Sequence, residues 1–278
     1  MPTFSNPSFD MTSVRWILLT FSLMTLTSPA ASYTSRTYSD PTGSIRYQLL
    51  VPPGYDATKK YPVLIFFHGI GERGTDGASQ LKWVAPVFAG ADFQAKNPCF
   101  VVVPQCPPPQ PGAGNAADNL WVDTDYFTPQ NRPRSAEPTK PMTLALKALD
   151  QVEAKYSIDK NRVYVAGLSM GGFATWDCIT RFPNRFAAAI ACCGGGDDTT
   201  VTAEVARVPM WAFHSADDPV VHVQRTRMMI DAMKKAGGDP KYTEFTGLGH
   251  ASWTKAFSTD GLYDWLFSQN LAQRPPAP

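Results

Sequence analysis

The chain has 278 residues, with 25 Lys and Arg against 24 Asp and Glu and a net charge of +1. Without a basic block, it lacks the electrostatic footprint of a nucleic-acid binder. Its 44% hydrophobic and 18% charged residues exclude general disorder and permit a sizeable core.

Residues 1–31 read as an export signal. Val14-Arg15 precedes an apolar run from Trp16 to Leu26, and Ser28-Pro-Ala-Ala-Ser32 supplies small residues for cleavage. Met11 is an alternative start, since Met11 to Arg15 makes a better basic leader than the ten residues before it. The run is short for a bilayer span, so no stable membrane insertion is expected, with an uncleaved anchor as the alternative. The mature domain is expected to be secreted or periplasmic.

Residues 34–40 and 44–51 read as strands joined by a turn at Pro41-Thr-Gly43. In the second, Ile45, Tyr47, Leu49 and Val51 alternate with Arg46 and Gln48, the pattern of a half-exposed antiparallel strand. Residues 61–67 form a continuous apolar run, typical of a strand buried on both faces. It ends in the glycine-rich His68-Gly-Ile-Gly-Glu-Arg-Gly74. Residues 100–104 are the next buried strand.

Residues 105–141 differ from the rest. Eight prolines (107, 108, 109, 111, 129, 133, 138 and 141) and little periodicity mark a long loop insertion. Its aromatic residues Trp121, Tyr126 and Phe127 either stack on a sugar or phenolic ring of a substrate or pack as a small core under the loop. Residues 142–156 are amphipathic and helical. Residues 162–166 read as a strand, followed by a turn at Ser169 and a helix up to Arg181. Strands are expected at 186–193, 209–213 and 241–246, and helices at 223–236 and 261–270. Residues 273–278 are expected to be a loose tail. Alternation of strands with helices predicts an α/β fold with a mostly parallel central sheet and helices on both faces. With no internal repeat, residues 32–272 are expected to be one catalytic domain.

The five cysteines follow no zinc or redox spacing. Export permits disulfides, yet Cys178, Cys192 and Cys193 read as small core hydrophobes. Cys99 and Cys106 flank one strand at opposite ends and are not expected to pair with each other.

The chemistry centres on Gly167-Leu-Ser-Met-Gly-Gly172. A serine between glycines at a strand-to-helix turn is the nucleophile-elbow pattern. Serine needs an adjacent base, and the chain has four histidines. His68 and His214 each end a strand, and His222 lies near a helix start. His250 lies in a glycine-flanked loop at the carboxyl end of the last strand, where open sheets gather their ligands. It is the expected base. The base needs a carboxylate, and Asp217 and Asp218 follow the strand before it; Asp197 and Asp198 are weaker alternatives. Spacing alone leaves Asp217 and Asp218 both open. The order Ser…Asp…His is that of α/β-hydrolases. The oxyanion donors are expected to be the amides of Met170 and Ile70, with His68 stabilising the Ile70 loop. Glu72 and Arg73 are expected either to contact a polar substrate or to form a local ion pair. No His-Glu-x-x-His, paired-cysteine or phosphate-loop motif occurs, so neither metal nor cofactor is expected.

Taken together, His68-Gly-Ile-Gly-Glu-Arg-Gly74, Pro104-Gln-Cys-Pro107, Gly167-Leu-Ser-Met-Gly-Gly-Phe173, His214-Ser-Ala-Asp-Asp-Pro-Val-Val221 and Gly249-His-Ala-Ser-Trp253 resemble secreted α/β-hydrolase serine esterases. The resemblance is to the bacterial phospholipase/carboxylesterase-like and feruloyl- or acetylxylan-esterase-like proteins, and to polyhydroxybutyrate-depolymerase-like relatives. It implies two-step acyl transfer on a small-molecule or polysaccharide-linked ester, acetyl or feruloyl. It also implies Asp218 as the acid, since the aspartate before the proline carries that role in the family. His214-Ser215 stands where many relatives have His-Gly, and nothing carries over to the 105–141 segment. Two other readings use the same residues: a prolyl-oligopeptidase-type serine peptidase, and a hydrolase-like fold that only binds. A complete set in the right order favours the enzyme.

Overall fold

The computed structural model describes residues 1–3, 31–109, 119–130 and 133–274. The expected export signal thus lies almost wholly outside the described residues. Eight strands form one sheet: β1 (Tyr33–Asp40), β2 (Gly43–Leu50), β3 (Tyr61–Phe67), β4 (Phe100–Pro104), β5 (Ile158–Leu168), β6 (Ala188–Cys192), β7 (Met210–Ser215) and β8 (Lys241–Phe245). Their spatial order is β1-β2-β4-β3-β5-β6-β7-β8. The β1–β2 and β2–β4 pairs are antiparallel, and every pair from β4 to β8 is parallel.

The continuous apolar runs are explained by the sheet having a core on each face. Along β3, Val63, Ile65 and Phe67 enter one core, while Leu64 and Phe66 enter the other. Side chains alternate across a strand, so a strand covered on both sides must be apolar at every position. The first core is closed by α3 (Lys140–Lys155), α4 (Met170–Arg181) and α6 (Gln224–Lys235), through Leu149, Phe173, Trp176 and Met229 among others. The second is closed by α1 (Ala85–Ala89), α7 (Trp253–Ala256) and α8 (Leu262–Ser268), through Phe88, Ala256 and Leu266, with Phe257 just after α7. Two further short helices, α2 (Ala91–Lys96) and α5 (Ala203–Ala206), complete the set among the described residues. The short helices α1, α2, α5 and α7 carry no periodic signal long enough to be read from sequence.

Three sequence expectations shift. Gln48, expected to be exposed, is buried, with its amide donated to the Gly77 carbonyl. The proline-rich segment stops short of residue 141, because α3 starts at Lys140 with Thr139 as its cap. Pro141 sits in the first helical turn, where its missing N–H costs nothing. At the other end, Arg274 donates to the Pro183 carbonyl at 2.6 Å, so residues 273–274 are tied down rather than loose. All five cysteines are free and buried, none paired with another.

The α4 helix starts almost against the sheet. A Cβ at Gly171 would lie 1.9 Å from the Phe67 carbonyl oxygen of β3, and one at Gly167 would lie 2.1 Å from the Gly171 oxygen. Both obstacles are backbone, which cannot rotate away. Gly171→Ala is therefore expected to cost about 3 kcal/mol or more, or to prevent folding. Urea unfolding checks this, and a variant within about 0.5 kcal/mol of the parent would contradict it.

Candidate active site

The carboxyl ends of the parallel strands bring four loops together. The first is the turn after β5. Ser169 there has φ 53° and ψ −120°, a left-handed conformation that costs a non-glycine residue about 1–3 kcal/mol. It is held because Ser169 N–H donates to the Cys192 carbonyl at 2.9 Å and the Ser169 carbonyl accepts from Phe173 N–H at 3.1 Å. Met170 opens α4 directly after it, so its amide lies in the first turn, where no intrahelical acceptor exists.

The second loop follows β8. His250 Nε2 lies 2.9 Å from Ser169 Oγ, and His250 Nδ1 lies 2.8 Å from Asp218 Oδ2. A carboxylate only accepts, so Nδ1 carries the hydrogen and Nε2 presents its lone pair to the serine hydroxyl. The third loop, after β7, carries Asp218. Asp218 Oδ1 accepts from the amides of Val220 at 2.9 Å and Val221 at 3.0 Å. Burial works to raise the Asp218 carboxyl, but hydrogen bonds from His214, His250 and Val220 outweigh it and hold the group well below the usual carboxylate range. Asp218 is thus an anion in a fixed orientation.

The two aspartates that spacing left open have separate contacts. Asp217 does not reach His250's ring. Its Oδ1 accepts from Ser215 Oγ at 2.5 Å and Gly247 N–H at 2.9 Å, and its Oδ2 from Gly249 N–H at 3.2 Å. It ties down the loop that carries the histidine. Gly247 and Gly249 have φ of 76° and 57°, a region glycine enters without penalty.

The fourth loop follows β3. Ile70 starts a short 3-10 turn over Ile70–Glu72, so its amide, like that of Met170, opens a helical turn. A Cβ at Gly69 would lie 3.6 Å from Ser169 Cβ, which puts this loop against the serine. His68 is buried. Its Nε2 accepts from Cys106 N–H at 2.9 Å and its Nδ1 lies 2.6 Å from the Gly69 carbonyl. Burial pushes its pKa down to about 4, so it stays neutral and holds the loop. Glu72 and Arg73 form no ion pair with each other among the described residues. Glu72 accepts from the Trp83 indole at 2.8 Å, and Arg73 donates to the Ile70 carbonyl at 3.0 Å and to Asn119.

Trp121 does not stand where a substrate meets it. It is fully buried, donates its indole N–H to the His68 carbonyl at 3.1 Å, and packs edge-on against Phe67 and His68. Its large apolar ring fills the space beneath the Ile70 loop. Tyr126 is also buried, against Phe173, while Phe127 is 57% exposed. Two further aromatic residues adjoin the site. Trp253 meets His250 edge-on at 5.4 Å, and Trp83 meets Trp253 at 5.6 Å. Trp83 thereby links Glu72 of the Ile70 loop to the ring behind His250. Trp253 follows His250 in the sequence by three residues, a visible hint; Trp83 lies in a stretch with no periodic signal.

The described residues hold one group with metal-ligand chemistry, Cys193, Asp218 and His250, whose ligand atoms lie within 4.8 Å of one another. Two of the three are already committed to the hydrogen-bonded line from Ser169.

The model of the phospholipase/carboxylesterase family matches residues 55–259. The chain is 24% identical over 189 residues to an esterase of Escherichia coli K12, YpfH, covering 68% of this chain and 75% of that one. It is 32% identical over 87 residues to a bifunctional acetylxylan esterase/xylanase of Neocallimastix patriciarum, covering 31% of this chain and 13% of that one. Among solved structures, a thermostable esterase superposes with a TM-score of 0.76 at 38% identity, covering 86% of this chain. The chain spans 63% of that esterase's length.

The Asp217 contacts carry a prediction that does not depend on turnover. Asp217→Ala is expected to speed amide hydrogen exchange at Gly247 and Gly249, because each amide loses its carboxylate acceptor. Exchange rates equal to the parent's would show that the loop is held by other contacts.

Proposed function

The chain belongs to the phospholipase/carboxylesterase family and is a carboxylic-ester hydrolase of the α/β-hydrolase type, and we propose that it works by two-step acyl transfer through Ser169, His250 and Asp218. The observation that carries this reading is the unbroken line of hydrogen bonds from Ser169 Oγ through His250 to Asp218.

His250 Nε2 takes the hydroxyl proton as Ser169 Oγ bonds to the ester carbonyl carbon. The Asp218 anion steadies the imidazolium that forms. The carbonyl oxygen gains charge and is received by the amides of Met170 and Ile70, each opening a helical turn with its N–H free of a helical partner. His250 then gives its proton to the leaving alcohol oxygen as the carbon–oxygen bond breaks. Water repeats the sequence on the acyl-serine, releasing the acid and restoring the hydroxyl.

For the substrate we propose acetyl or feruloyl esters carried on polysaccharide. The local likeness to the acetylxylan esterase/xylanase supports this. So do two exposed aromatic rings, Trp83 at 43% and Phe127 at 57%, each tied to the site through a buried ring: Trp83 through Trp253, and Phe127 through Tyr126 on Phe173 of α4. Such rings suit sugar or phenolic faces. Export of the mature domain is part of the same proposal. It rests on the basic leader, apolar run and small residues of the first 32 positions.

Ser169→Ala and His250→Ala are each expected to lower kcat/KM for p-nitrophenyl acetate by about 1,000-fold or more. Asp218→Asn should fall by at least about 100-fold, and Asp217→Asn by less than about tenfold. The reverse order for the two aspartates would overturn the acid assignment. Acetate release from acetylated xylan or ferulate release from methyl ferulate is expected. Hydrolysis of long-chain acyl esters alone would overturn the substrate class.

A further inference from the structure

His214 is fully buried at the end of β7, and the acyl-transfer scheme leaves it without a task. Its hydrogen-bond partners permit a count of protons. Nε2 lies 2.9 Å from the Val221 carbonyl oxygen and 3.2 Å from Asp218 Oδ2. Both oxygens only accept, so Nε2 carries a hydrogen. Nδ1 lies 2.7 Å from Thr226 Oγ1. The Thr226 hydroxyl has a single hydrogen, and that oxygen also lies 2.5 Å from the Gly194 carbonyl, which only accepts. The hydroxyl hydrogen therefore goes to Gly194. The hydrogen between Thr226 and the ring must then come from Nδ1.

We propose that His214 is a buried imidazolium paired with Asp218, a positioning residue that sets the acid's charge balance and opposes a second positive charge on His250. A neutral His214 would leave the Thr226 oxygen facing either Nδ1 or the Gly194 carbonyl with no hydrogen between them, a buried repulsion of the kind native structures avoid. The positive ring adjoins the same Asp218 oxygen that accepts from His250. Asp218 thus serves two cations when His250 is protonated. That makes the protonated state of His250 less favourable than it would be beside Asp218 alone.

The other ionisable groups around His214 do not replace it. Glu244, its register partner on β8, is engaged by Arg227 at 2.9 Å. Cys193, after β6, is buried, which pushes its thiol well above its ordinary value and keeps it neutral. Arg225, beside Thr226 on α6, lies over the Phe173 ring and donates to the Asp125 carbonyl. Asp217 is directed to Ser215 and the His250 loop. Asp218 and His250 are the partners already described.

Two experiments test this. The first is nitrogen-15 NMR of the parent protein at neutral pH. It is independent of any activity and of the roles assigned to Ser169 and His250. Both His214 nitrogens are expected to carry hydrogen; a single protonated nitrogen would overturn the proposal. The second rests on the acyl-transfer reading. His214→Gln keeps a donor for Asp218 and Val221 but cannot carry charge. The acid limb of its kcat/KM profile is expected to move to higher pH by about one unit or more, because losing a nearby cation favours protonated His250. A folded variant with lower kcat and an unmoved limb would show that His214 only packs, and would overturn the charge role. If the parent fails to hydrolyse esters, the acyl-transfer reading fails, while the NMR result still decides the state of His214.

Discussion

The whole arrangement depends on one close approach: the first turn of α4 against the carboxyl end of β3. The gap there is too small for any side chain at Gly171, because a Cβ would sit 1.9 Å from the Phe67 oxygen. Gly167, at the end of β5, is needed because its Cβ would lie 2.1 Å from the Gly171 oxygen, and Gly172 because its Cβ would lie 2.5 Å from the Cys192 oxygen. Three glycines therefore fix where the helix begins, and Ser169, at φ 53°, is the residue left on the bend. The bend also determines what the serine meets. Phe67 leads directly into the Ile70 loop, so the packing that positions the helix places that loop's amide beside the serine.

The neighbouring loops are held by polar contacts rather than by further packing. Asp218 is oriented by two amides, Asp217 ties Gly247 and Gly249, and a neutral His68 links the Ile70 loop to Cys106. Asp218 and His68 are buried with their partners supplied, which is the condition for keeping such groups away from water, while Asp217 holds its loop from the exposed side. A site built this way holds one geometry without needing a large apolar pocket. It also concentrates charge: one carboxylate, Asp218, lies within 3.2 Å of the ring nitrogens of two histidines.

Much of this was legible in the sequence because it is periodic or sterically constrained. The two-faced strands announce themselves as unbroken apolar runs, and the elbow as glycines around a serine. His250 could be placed because it follows the last strand between glycines. Other features left weaker traces. Asp217 and Asp218 are adjacent and chemically identical, so their division of labour depends on backbone direction after β7. The resemblance to the esterases implies Asp218 as the acid; in the structure it is Asp218 whose carboxylate meets His250 Nδ1. Trp121 looked equally suited to a substrate face and to a core, and burial assigns it to the core. Trp83 and the pairing of His214 with Asp218 depend on contacts between distant loops, which no local pattern encodes.

Ser169 is proposed as the nucleophile on which ester hydrolysis depends. A fluorophosphonate ester, which mimics the carbonyl under attack and bonds irreversibly to an activated serine, tests it most directly. Peptide mapping by mass spectrometry is expected to find one phosphonyl group, on Ser169, with esterase activity lost in proportion to its occupancy. Full activity in unlabelled protein after prolonged exposure, or loss of activity with the label on another residue, would exclude Ser169 as the nucleophile.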